Sequence, residues 1–206
     1  MAAANTQPRW GLTVSLSIFV LAASIVQYAI IGGVEGVHAA TRLTARTSLI
    51  LFLSAFTASA LAQLFPHPAT KWLKHNRRYL GVAFAFSHFV HLVFIFIYAK
   101  VDPATFWVER TPRSLIGPSV TYVLIFAMAA TSFDRIASAI GAKAWSWLHW
   151  LGGYAILITF LIAYGGRAAK SGYYIPFAAM VMLAFLLRVV ARIRRRSTVN
   201  GAAMTE

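Results

Sequence analysis

Apolar residues in this chain fall in long unbroken runs, with neither the alternation of a half-buried strand nor the polar back of an amphipathic helix. A helix needs about 20 consecutive apolar residues to cross the hydrocarbon core of a bilayer. Six windows have that character: Trp10 to Ile31, Ala45 to Phe65, Tyr79 to Ala99, Leu115 to Phe133, Trp145 to Tyr164 and Tyr173 to Ala191. The pattern predicts an all-α membrane protein, a six-helix transmembrane bundle. Residues 1–9 form an N-terminal tail, 10–193 the membrane domain and 194–206 a basic cytoplasmic tail. Arg9 and the small residues Ala22, Ala23 and Ser24 give the first window some features of a secretory signal, but its apolar run is too long, so it reads as a retained helix.

The connections are short, apart from "KVDPATFWVERTPRS" between the third and fourth windows. Its prolines and the pair Phe106 and Trp107 predict a segment lying along the outer interface. Asn5 to Pro8 and Thr198 to Glu206 read as frayed ends, and the chain shows no internal repeat and no second domain.

Charge then sets the orientation. With the N-terminus inside, twelve Lys and Arg residues fall on the inner side: Arg9, Lys71, Lys74, Arg77, Arg78, Arg135, Lys143, Arg188, Arg192 and Arg194 to Arg196. Seven fall on the outer side: Arg42, Arg46, Lys100, Arg110, Arg113, Arg167 and Lys170. The excess of inner cations predicts that both termini are cytoplasmic. The formal charge of +14 comes from residues at helix ends, which suit anionic lipid headgroups, and it does not point to nucleic acid. The arginine run 194–196 reads as a stop-transfer anchor, with docking of an acidic cytoplasmic partner as the alternative.

The chain has no cysteine, which excludes disulfides, thiolate metal sites, iron-sulfur clusters and thiol catalysis. Neither a GxGxxG fingerprint nor a P-loop occurs, so no flavin or nucleotide site is expected on this chain. No Asp or Glu lies deep in any window, which disfavours a carboxylate-based carrier.

Three histidines do lie within the windows: His88 and His91 on the third and His149 near the start of the fifth. Ionisable residues in a spanning helix are costly and commonly functional. Gly81, Phe84, His88 and His91 share one helical face, as do Trp145, His149, Gly152, Ile156, Thr159 and Ala163. An imidazole on a helix beside the space left by a glycine suits a flat macrocycle that needs an axial nitrogen. It equally suits neutral histidines that hydrogen-bond to a neighbouring helix. His38 and His67 fall in connections and are expected to be solvated.

From Thr41 to Tyr164 the chain resembles the ferric reductase-like transmembrane domain superfamily, and most closely its small bacterial haem-binding membrane subunits of the MsrQ type. The residues that carry the resemblance are "RLTARTSLILFLSAF" on the second helix, "RRYLG" with His91 ten residues after the glycine, "AATS" at Ala129 to Ser132, and "WSWLHWLGGYA" opening the fifth helix. The resemblance implies haem b, one or two, with ligands at an inner and an outer level of the third and fifth helices. His91 then holds the outer position of the third helix and His149 the inner position of the fifth. Arg77 stands at the inner position of the third helix, as in that branch, and Ile162 stands where that branch keeps a histidine on the fifth.

In that frame His91 and His149 lie one ligand level apart, roughly 20 Å along the helix axis. Two axial nitrogens on one iron lie only about 4 Å apart, so the two would not share a haem. His75 is a candidate partner for His149 at the inner level. At the outer level His91 or His88 holds a five-coordinate haem or pairs with Tyr164. Arg46, Arg77 and Arg78 suit haem propionates, or serve as interfacial anchors.

The function expected is a b-type cytochrome-like electron-transfer subunit of the inner (plasma) membrane, a multi-pass protein and not a complete enzyme. Besides membrane lipids, its expected partners are a separate redox protein and a quinone or flavoprotein donor. The alternatives are a haem-less family member acting as a membrane scaffold or assembly partner and, less favoured, a small-molecule channel or carrier.

Overall fold

The computed structural model describes residues 10–203, with side chains from Trp10 to Ser197. The expected N-terminal tail lies outside the described residues, as do the last three positions. Among the described residues there are seven α-helices: α1 Trp10–Ile31, α2 Gly33–Leu64, α3 Pro68–Val101, α4 Pro103–Glu109, α5 Pro112–Ala130, α6 Asp134–Ala168 and α7 Ile175–Ala203. A single 3-10 turn, Gly172–Tyr174, leads into α7. All but α4 are long and apolar enough to cross a membrane, which gives the six spans read from the sequence. Helices satisfy every interior backbone group within themselves, so they can face hydrocarbon directly. Side chains such as Phe19, Ile30, Val123 and Ile162 point outward, as a lipid-facing surface requires.

Several helices outrun their apolar windows. α2 begins at Gly33, α3 at Pro68 and α6 at Asp134. The extra turns carry Arg, Lys, Thr and His, which a helix tolerates but a hydropathy window rejects. His38 therefore lies on α2 and not in a solvated connection. Its ring meets Tyr98 edge-on at 4.4 Å. His67 does sit in the exposed turn before α3, where its Nδ1 accepts from the Ala69 amide.

Glycines in left-handed backbone set two turns. Gly32 and Gly33, at φ 70 and 54, reverse the chain between α1 and α2 with no further linker. Gly141, at φ 78, kinks α6 and separates its polar first turns from the span that carries His149.

The chain forms two compact units. The first combines the described residues up to 52 with 78–107, and the second combines 53–77 with the described residues from 108 onward. In the first, Val37, Ala40, Val90, Phe94, Tyr98 and Phe106 form a buried cluster. The long connection thus supplies a short helix, α4, that buries Phe106 while Trp107 stays exposed. Small hydroxyl residues line the α2 and α3 contact within this unit: Ser87 Oγ lies 2.9 Å from Ser48 Oγ and 3.2 Å from Thr47 Oγ1. In the second unit Thr121 and Thr159 join α5 to α6 at 2.8 Å, and Gln63 donates to the Ala191 carbonyl of α7 at 2.8 Å. Such polar contacts knit helices where no hydrophobic driving force separates lipid from protein.

Candidate functional site

The stripe expected on α3 is a ladder of rings. Phe84 and His88 stand 5.4 Å apart, and His88 and His91 stand 5.3 Å apart. Seven residues before His88 on the same face, Gly81 has nothing within 4 Å of where a side chain would begin. His91 Nδ1 lies 3.1 Å from the Thr41 carbonyl and 3.0 Å from Thr44 Oγ1. A carbonyl only accepts, so Nδ1 carries the proton. The Thr44 hydroxyl spends its own hydrogen on the Ala40 carbonyl at 2.8 Å, and its oxygen is left to accept from the imidazole. This hydrogen-bond assignment puts the His91 lone pair on Nε2, the arrangement that orients a metal-ligating histidine.

His149 is held differently. Trp145 stacks on its ring at 4.2 Å, and the Trp145 Nε1 donates to the Thr131 carbonyl at 3.0 Å. Thr131 Oγ1 lies 3.2 Å from His149 Nε2 and donates to the Ala127 carbonyl at 2.8 Å. With its hydrogen assigned to Ala127, the Thr131 oxygen accepts from His149, an assignment that protonates Nε2 and leaves the lone pair on Nδ1. The space expected beside Gly152 is taken by the Met128 side chain, whose sulfur packs where a Cβ would start. The "AATS" and "WSWLHWLGG" segments thus form one interlocked contact within the second unit. Sequence patterning alone could not show Thr131 or Met128 meeting His149 and Gly152.

The remaining candidates are spread over the two units. Arg77 Nη1 donates to Ser59 Oγ at 2.8 Å, and the Arg78 guanidinium lies 5.6 Å over the Trp10 ring. Arg46 is half-buried on α2. His75 is exposed, and among the described residues it makes no hydrogen bond or ring contact to His149. Tyr164 is buried, stacked between Phe160 at 6.1 Å and Phe177 at 5.4 Å. Ile162 is 71% exposed, so the position at which the resembled branch carries a histidine faces outward here.

Six long apolar helices, with half-buried imidazoles on α3 and α6 that each meet a threonine, define a multi-pass membrane protein. Over most of its length the chain is similar to MsrQ-type haem-binding membrane subunits, as its helix motifs led one to expect. It is 28% identical over 178 residues to the protein-methionine-sulfoxide reductase haem-binding subunit MsrQ of Ralstonia nicotianae, a match covering 84% of this chain and 81% of that protein. It is 30% identical over 139 residues to the subunit of the same name from Herminiimonas arsenicoxydans and 31% identical over 144 residues to that of Polaromonas naphthalenivorans. Each of these two matches covers 65% of this chain, and they span 63% and 64% of the respective relatives. No protein-family model matches the chain.

Proposed function

We propose that this chain is a membrane electron-transfer subunit that holds b-type haem at His91 and His149 and exchanges electrons with a separate redox protein. The carrying observation is the His91 arrangement, with Nδ1–H held by the Thr41 carbonyl and Nε2 left with the lone pair. The relatives named as haem-binding subunits support the reading. Among the described residues no three His, Asp or Glu side chains gather to hold a bare ion. A haem iron brings four ring nitrogens of its own and asks the protein only for axial ligands.

The residues present fit that group. Gly81 leaves room on the His91 face, and Met128, whose side chain fills the gap beside Gly152, is flexible at the end that fills it. Haem, when bound, supplies a one-electron couple. The chain's own residues do the rest: Thr41 and Thr44 fix the His91 ring, Trp145 stacks on that of His149, and Arg46, Arg77 and Arg78 offer cations to propionates. The apolar helices exclude water from the pathway. A quinone or a flavoprotein is the proposed donor, and both termini face the cytoplasm of a cell whose inner membrane holds the chain.

A haem-less scaffold is the second reading. It is favoured by the outward-facing Ile162 and by an Arg77 that is already engaged with Ser59. Haem titration into the purified protein separates the two readings. Electron transfer requires a Soret band that shifts on dithionite reduction and that weakens in His91→Ala and in His149→Ala. A protein that takes up no haem is the scaffold.

A further inference from the structure

A half-open groove of about 540 Å³ runs along α7 from Phe185 to Arg196 within the second unit. One wall is Arg188, Arg192 and Arg196, spaced four apart so that their guanidiniums follow one face at intervals of about 6 Å. Phe185, Val189 and Ile193 supply an apolar wall beside it, with Tyr154 of α6 opposite. No lining residue is acidic.

Arg188 is built into the groove. Its guanidinium lies 4.3 Å over the Phe56 ring and 5.3 Å over Tyr154, and its Nη1 reaches the Phe56 carbonyl at 3.4 Å. Arg192 and Arg196 are exposed. The span that carries them, Gly172–Ser197, has 26 residues. At about 1.5 Å per residue it is roughly 39 Å long, against a hydrocarbon core of about 30 Å. The end of the span therefore reaches headgroup depth, with Arg196 at that end and Arg188 roughly 13 Å before it.

We infer that this groove binds the phosphodiester headgroup of an anionic phospholipid, with Arg192 and Arg196 on the phosphate and an acyl chain along Phe185, Val189 and Ile193. Three cations without a carboxylate call for an anion, and the adjoining apolar wall calls for a chain attached to it. The site is independent of haem, because none of its lining residues is among those proposed to hold that group.

Native mass spectrometry of the full chain in detergent, titrated with phosphatidylglycerol, tests the inference. Phosphatidylcholine binds at least tenfold more weakly. Arg192→Gln with Arg196→Gln weakens phosphatidylglycerol about 30-fold, from the attraction expected of two arginines near a membrane surface. Arg194→Gln with Arg195→Gln removes equal charge outside the groove and changes the affinity less than twofold. Equal binding of the two lipids, or equal losses in the two double variants, would overturn the inference. So would displacement of the lipid by inorganic phosphate or by an acidic peptide at matched concentration, which would mark a simple anion site or a protein-docking site instead.

Discussion

Thr131→Val should raise the affinity of the protein for haem. Thr131 donates its hydroxyl hydrogen to the Ala127 carbonyl at 2.8 Å and accepts from His149 Nε2 at 3.2 Å. While that bond stands, Nε2 is protonated and cannot coordinate iron. Valine keeps the shape of threonine and leaves the Thr131 carbonyl, the acceptor for Trp145, in place. Hydrogen bonds between helices in membranes contribute about 0.6 kcal/mol on average and up to about 1.7. Removing one that competes with ligation should therefore tighten haem binding by roughly 3-fold to 20-fold. The assay is a haem titration of the purified apoprotein, followed by its Soret absorbance. The gain should vanish when His149→Ala is added. An unchanged or lower affinity in Thr131→Val would refute the reasoning, because His149 would then not ligate through Nε2, or would need Thr131 to orient it.

Three further outcomes are expected. Gly152→Val should lower the midpoint of unfolding in an SDS titration by driving a side chain into the Met128 sulfur, at a cost of about 1 to 3 kcal/mol; Met128→Ala should restore much of it. Ser87→Ala removes the partner of both Ser48 and Thr47, and should cost about 1 kcal/mol in the same titration, with a smaller effect when Ser48 is already alanine. A fluorescent-protein fusion at the C-terminus should glow and an alkaline phosphatase fusion there should stay inactive, since both report a cytoplasmic end; the reverse pair of results would invert the topology.

The six spans were legible because hydrocarbon selects for apolar length alone. Trp10–Ile31 matches its window end for end. The second, third, fifth and sixth windows stop short where charged and hydroxyl residues continue a helix, so His38, which reads as part of a connection, instead packs on Tyr98. The fourth window runs three residues past the end of α5. Helical spacing correctly grouped Phe84, His88 and His91, since that grouping needs only one element. What spacing could not reveal lies between elements. That Thr41 and Thr44 hold His91, that Thr131 holds His149, and that Met128 fills the gap at Gly152 all depend on how two helices meet. The arginine run 194–196 reads as an anchor in the sequence, but the stripe of Arg188, Arg192 and Arg196 becomes the wall of a groove only with Tyr154 of α6 in place.

The most direct test is the absorption spectrum of the purified chain, expressed with haem supply and assayed as its pyridine haemochrome. The account predicts a b-type spectrum with a Soret band that shifts on dithionite reduction, weakened by His91→Ala and by His149→Ala. A folded protein with no Soret band and no haemochrome signal after haem supplementation would contradict it.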